Sequence, residues 1–150
     1  MSGGAPGATD ASDGDPDAPD PVVTVGAIDG AVLLLAAGKA RLDPERLPDL
    51  VERAAAHLRD RRTAYRRRYE RVLTDDTREI YFADRDHWTG LGDELDLDGP
   101  EVDAVRIAHE EQLRHLGRAA DREEEFDHAL EIRDPVVVGR PGDAAAPGDG

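Results

Sequence analysis

The sequence predicts a mainly α domain, with four or five helices packed compactly, a minor β-hairpin or short strands, and disordered acidic tails on either side. Three observations lead there. Apolar residues recur every three or four positions through Leu47, Leu50, Val51, Ala54, Leu58, Tyr65, Tyr69 and Val72, the spacing of one helix face. Turn and helix-start signals at Asp43-Pro44, Leu47-Pro48 and Gly99-Pro100 divide the chain into short elements, because proline fits the first helical position. Residues 1–21 are built from Gly, Ala, Pro, Ser and Asp with no bulky side chain after Met1, and residues 140–150 read the same way. Such segments bury too little apolar surface to offset chain entropy. One helical domain over 22–139 is expected, between tails at 1–21 and 140–150.

Taken in order, Val22-Val23-Thr24-Val25 is β-branched and suits a short strand before Gly26. Asp29 is placed to cap a helix over 31–39, whose run Val32-Leu33-Leu34-Leu35 is apolar all round and predicts a helix surrounded by others. The clearest helix runs from Pro48 to about Arg71. Thr74-Asp75-Asp76-Thr77 breaks its pattern, and Glu79-Ile80-Tyr81-Phe82 favours a strand, giving a hairpin over 72–82. Asp86 reads as the cap of a short helix carrying Trp88, Leu91 and Leu95. After the Leu97-Asp98-Gly99-Pro100 turn, Val102, Val105, His109, Leu113 and Leu116 share a face of a second amphipathic helix. A last helix from Asp121 buries Phe126 and Leu130. Pro135-Val136-Val137-Val138 is an edge strand that can pair with Val22–Val25 or with the hairpin.

Charge is the strongest compositional signal. The chain of 150 residues carries 34 acidic against 19 basic residues, a formal net charge of −15, and Lys39 is its only lysine. A GC-rich genome accounts for scarce lysine but not for the carboxylate excess. Adaptation to molar salt accounts for the carboxylates, since the Debye length is about 3 Å at 1 M salt and self-repulsion is then muted. There is no cysteine, which excludes disulfides and thiolate metal sites. Residues 1–21 lack the basic and apolar regions of a secretory signal, and 22–38 falls short of the roughly 20 apolar residues a membrane helix needs. A cytoplasmic location away from membranes is expected.

Seven arginines lie between Arg59 and Arg71, with Asp60 and Glu70 the only acids among them. Arg59, Arg62, Arg66 and Arg67, interleaved with Tyr65 and Tyr69, are candidate contacts to a partner or to phosphate. The competing reading is structural: Arg62 and Arg66 border one side of the apolar stripe, Arg61 and Arg68 the other, and all can pair with acids such as Asp121–Glu125 or with carboxylates of a second subunit. Asp84, His87 and Trp88 form a candidate pocket at an element junction, with His87 as an acid–base group. In the alternative, Trp88 simply anchors the core.

Leu91 to Leu97, a turn, and the helix from Pro100 have the spacing of a helix-turn-helix. Its reader end, however, offers Glu101 and Asp103 with Arg106 the only early cation, poor chemistry for base edges. His109 and His115 are six apart, not the four of a zinc helix, and Glu125-Phe126-Asp127-His128 is a single Glu-x-x-His where a di-iron bundle needs two. No metal, cofactor or catalytic residue is therefore assigned, and His109 reads as a core histidine.

From about Leu47 to Gly139 the chain resembles small acidic proteins common in halophilic archaea. The likeness lies in Asp43-Pro44-Glu45 with Leu50-Val51-Glu52-Arg53-Ala54, Asp86-His87-Trp88, Ala108-His109-Glu110 with Leu113, and Asp121-Arg122-Glu123-Glu124-Glu125-Phe126. It implies a salt-rich cytoplasm and carries over no functional residue. The leading expectation is a non-enzymatic interaction or regulatory module, a candidate homodimer with its partner unknown. The alternatives are a helix-turn-helix nucleic-acid protein, and a small enzyme or metal protein centred on His87 and Trp88.

Overall fold

The computed structural model describes residues 24–140. The two predicted tails, and Val22 and Val23 of the first predicted strand, lie outside them, save Arg140. The sequence places that residue in the C-terminal tail, but it is bound to the domain: its N–H donates to the Thr77 carbonyl at 2.9 Å and its Nη1 to the Asp75 carbonyl at 2.8 Å.

The chain opens with a miniature antiparallel hairpin, β1 (Thr24–Val25) and β2 (Ile28–Asp29). Its two-residue turn has φ of +57° at Gly26 and +69° at Ala27, the left-handed pair that matches strand twist. Gly26 is also required by packing, because a Cβ there would stand 2.9 Å from both the Ala55 Cβ and a Val51 methyl.

Helix α1 (Gly30–Ala40) follows. The predicted fully surrounded helix is not found: Val32, Leu33, Ala36 and Ala37 are buried, whereas Leu34 and Leu35 are 67% and 45% exposed. Asp29 occupies the cap position without a side-chain cap bond. Its carboxylate is instead drawn to the side chains of Arg78 and Gln112, at 3.2 Å each.

The predicted helix over 48–71 is two helices, α2 (Leu47–Asp60) and α3 (Arg62–Arg68), broken at Arg61. No glycine or proline marks the break. The cause is tertiary: the turn carries Tyr65 into the core beside Tyr81, ring centroids 6.0 Å apart, and swings Arg62 and Arg66 towards Glu79. Tyr69 is already extended, and β3 (Glu70–Thr74) pairs with β4 (Arg78–Ala83), so the hairpin begins earlier than its sequence pattern indicates.

A bulge at Val72 sets the faces of that hairpin. Arg71 stands opposite Tyr81, but Leu73 stands opposite Ile80 and Thr74 opposite Glu79. One extra residue reverses the alternation. Arg71 therefore shares the Glu79 and Tyr81 side of the sheet, while Leu73 turns to the Ile80 side.

Helices α4 (His87–Leu95), α5 (Gly99–Ala119) and α6 (Glu123–Ala129) precede β5 (Asp134–Gly139). Strand β5 pairs with β4, which settles its partner as the hairpin and gives the antiparallel order β3-β4-β5. The strands are no minor accessory. Every residue of central β4 is buried, because both faces are covered: Tyr81 meets Tyr65 of α3, and Phe82 meets Phe126 of α6 at 6.1 Å. Helices predominate, six among the described residues, around two small sheets.

Helix α5 starts with a full capping box between Asp98 and Glu101 and packs on α1, α2, α4, α6 and β5. The approach of α4 depends on Gly92, whose added Cβ would meet a Val102 methyl at 2.8 Å. Asp86 sits at the cap position of α4 without a side-chain bond; the cap comes from Asp134 of β5, which accepts from the Trp88 N–H at 3.1 Å. No described helix is long and apolar enough to cross a membrane.

Candidate functional site

The break at Arg61 and the bulge at Val72 bring α3, β3 and β4 together around one carboxylate. Glu79 projects from the middle of β4 with its side chain 2% exposed. Its Oε2 accepts from Arg62 Nη2 at 3.1 Å, Arg66 Nη2 at 3.3 Å and Arg71 Nη1 at 3.4 Å. Its Oε1 accepts from the Tyr81 hydroxyl at 2.6 Å. Burial alone would raise the Glu79 carboxyl, but the Tyr81 bond and the charges of Arg62 and Arg66 outweigh it and hold the group below its ordinary range. Burial and that same hydrogen bond push the Tyr81 phenol up to about 12.

Three cations thus share one anion. Arg62 is the closest and most covered, at 22% exposure, and satisfies the buried oxygen. Arg66 and Arg71 are 48% and 46% exposed and touch the same oxygen at longer range. Each guanidinium carries five N–H donors in a planar fork, so Arg66 and Arg71 keep donors beyond the one bond each makes to Glu79. They line a cleft of about 280 Å³ with Tyr69 and Tyr81.

Tyr69 also lines a second cleft, of about 250 Å³, with His57, Arg61, Ala64, Tyr65, Arg68, His87, Leu91 and Glu94. Here Tyr65, Tyr69 and His87 contact one another, with centroids 5.2–5.5 Å apart. The Tyr65 hydroxyl and His87 Nε2 are hydrogen-bonded at 2.5 Å. Burial raises the Tyr65 phenol and lowers the His87 imidazole, so both are neutral near pH 7. The Arg68 guanidinium lies 5.5 Å from the Tyr69 ring centre.

The residues singled out from sequence therefore separate. Arg62 and Arg66 meet at Glu79. Arg59 stays on α2, paired with Glu52 at 3.3 Å. Arg67 is exposed and has no carboxylate partner among the described residues. The acidic segment 121–125 does not pair with these arginines; Arg122 and Glu125 bind each other. Asp84 and His87 line one shallow groove with Glu94, but Trp88 does not join them. It is 1% exposed, with its indole N–H donating to the Pro135 carbonyl at 2.9 Å. At the start of α5, Glu101 is held by the capping box and Arg46, and Arg106 is held by Glu110 at 2.6 Å, so among the described residues no free cation stands where a reader helix needs one. Among the described residues no three His, Asp or Glu side chains are grouped to hold a metal ion.

Glu79, Arg71, Tyr81 and Arg68 are the members that sequence reasoning passed over. The available signal was a lone glutamate leading into the apolar run Ile80-Tyr81-Phe82, near an arginine-rich stretch that needed a counter-charge.

A family model described as a domain of unknown function (DUF8048) matches residues 26–140. No curated protein and no solved structure matches the chain.

Proposed function

The chain belongs to this family of domains of unknown function, so its role must come from its own residues, and we propose a non-enzymatic interaction module that holds an anionic partner on the arginine cluster around Glu79. The observation that carries this is the sharing of one buried carboxylate oxygen by three guanidiniums, two of them half exposed. One arginine is enough to neutralise Glu79. Arg66 and Arg71 then present a positioned fork with surplus positive charge, the arrangement that suits phosphate or carboxylate oxygens. Binding is favoured over catalysis because the two best-placed histidines are committed: His87 to Tyr65, and His109 to the Val137 N–H inside the core.

The test is calorimetric titration with inorganic pyrophosphate. Wild type is expected to bind with saturation, and Arg66→Gln combined with Arg71→Gln to weaken binding at least about tenfold, given that charge-assisted hydrogen bonds contribute roughly 1.5–3 kcal/mol each. Unchanged affinity in the double variant, with its helical circular dichroism intact, would remove the reading.

We further infer a salt-rich cytoplasm as the working environment, supported by the formal charge of −15. At about 1 M KCl, with a Debye length near 3 Å, repulsion among surface carboxylates is small, whereas at about 0.1 M it reaches about 10 Å. Cooperative unfolding at the higher salt and a loosened state at the lower is expected by circular dichroism. Equal stability at both would count against it.

A further inference from the structure

We propose that the cleft formed by Tyr65, Tyr69, His87 and Leu91 receives a flat aromatic ring, so that the ligand of this face is a nucleoside phosphate. The inference rests on the arginine cluster being an anion site and adds the chemistry of what the anion is attached to.

Tyr69 is the link. It lines the arginine cleft on one side and the aromatic cleft on the other. A phosphate on Arg66 and Arg71 therefore places whatever it carries next to the Tyr69 ring. Beyond that ring stand Tyr65 and His87, in tilted and edge-on contact, over the apolar side chains of Leu91 and Ala64. Tyr69 and His87 are the partly exposed rings and offer the stacking surface, backed by the buried Tyr65 and Leu91. The Tyr65–His87 pair is uncharged, so a base can lie against it without an ion being desolvated.

An aromatic cleft can also take a cation, but this one is already served. The Arg68 guanidinium lies over Tyr69 at 5.5 Å, and Arg61 stands at the rim. A second cation would meet both. A neutral ring whose phosphate is held by Arg66 and Arg71 meets neither objection and is not repelled by Glu94, which lines the cleft beside His57; Arg61 and Arg68 have no carboxylate partner among the described residues.

The full chain, in about 1 M KCl to suppress non-specific attraction, is titrated with inorganic pyrophosphate, ribose phosphate, adenosine monophosphate and a short oligoadenylate. Adenosine monophosphate is expected to bind about tenfold more tightly than ribose phosphate, which has the same phosphate and no base, in line with the usual strength of base–aromatic stacking. Ala64→Leu fills the cleft from an exposed position. It should bring adenosine monophosphate down to the affinity of ribose phosphate and leave pyrophosphate binding unchanged. Equal affinity for the two monophosphates, or a base preference that survives Ala64→Leu, overturns the ring site while pyrophosphate binding keeps the anion site. Absence of pyrophosphate binding overturns both. If oligoadenylate binds more tightly than the mononucleotide, the nucleoside phosphate belongs to a single strand; if it does not, the ligand is a free nucleotide. Both results support the shared chemistry.

Discussion

The backbone N–H of Val137 donates to Nδ1 of His109 across 2.9 Å, tying the middle of β5 to the middle of α5. His109 is 1% exposed, and the Trp88 ring stands 4.5 Å from its own, so burial lowers the imidazole from 6.5 to about 3. Accepting at Nδ1 requires the neutral ring with its proton on Nε2. Between pH 6.5 and about 3 the unfolded chain binds a proton that the folded chain refuses. Stability from this group is therefore complete above 6.5 and declines as pH falls, by about 1.4 kcal/mol per pH unit. Denaturant titrations of wild type and His109→Gln should differ by a constant above pH 6.5 and converge below it. Parallel acid responses would mean another group titrates.

The carboxylate of Asp134 caps a helix that is distant in sequence. Its bond to the Trp88 N–H is buried, and desolvation raises its pKa in spite of that bond. The folded state thus favours the protonated form, so the charge itself contributes no stability at neutral pH, whereas the acceptor does. Asp134→Asn is expected to change stability little, and Asp134→Ala to cost about 1–3 kcal/mol by leaving the Trp88 N–H unpaired. Urea unfolding of both variants checks this; similar losses in the two would show that the charge matters more than the acceptor.

Val72 is the extra residue of β3. Removing Val72 deletes the extra residue itself, so simple alternation returns with Arg71 still opposite Tyr81 and Leu73 still opposite Ile80. The shortened chain should therefore keep pyrophosphate binding and lose only the packing of the half-buried Val72 side chain, about 1 kcal/mol. Loss of pyrophosphate binding in calorimetric scans, with thermal unfolding still cooperative, would mean that the bulged conformation and not the register places Arg71.

The helical elements were legible where local signals were complete. Asp98, Pro100 and Glu101 announce the start of α5, and Val105, His109 and Leu113 its buried face. The break at Arg61 was not legible, because Arg, Thr and Ala are all compatible with helix, and the force that turns the chain is the burial of Tyr65 against Tyr81 and the pull of Glu79, neither of them local. The exposure of Leu34 and Leu35 was hidden for a related reason: an apolar run states that burial is available, not which side a neighbour covers. The site was half readable. Arg62 and Arg66 stood out by charge, but Arg71 could not be placed on their face without the bulge, nor Glu79 recognised as their common partner without the strand pairing.

Glu79 positions the cluster, and its removal should be felt more than the removal of any one arginine. The Glu79→Gln side chain keeps the shape and leaves three guanidiniums around a neutral amide. With partners that are partly exposed, a loss of about 2 kcal/mol is expected, against less than about 1 kcal/mol for Arg66→Gln. Because the Glu79 carboxyl is held below its ordinary range, this contribution is present above pH 4.5 and is lost as pH falls further. Equal losses in the two variants at neutral pH would contradict a shared anchor.

The most direct measurement follows the arginine Nε–H signals of isotope-labelled protein by nuclear magnetic resonance as pyrophosphate is added at about 1 M KCl, where general ionic effects are already saturated. Saturable shifts of Arg66 and Arg71, with Arg46 and Arg106 unmoved on Glu101 and Glu110, are expected if the fork beside Glu79 holds the anion. Uniform drift of all the arginine signals, or no movement of these two, would contradict it.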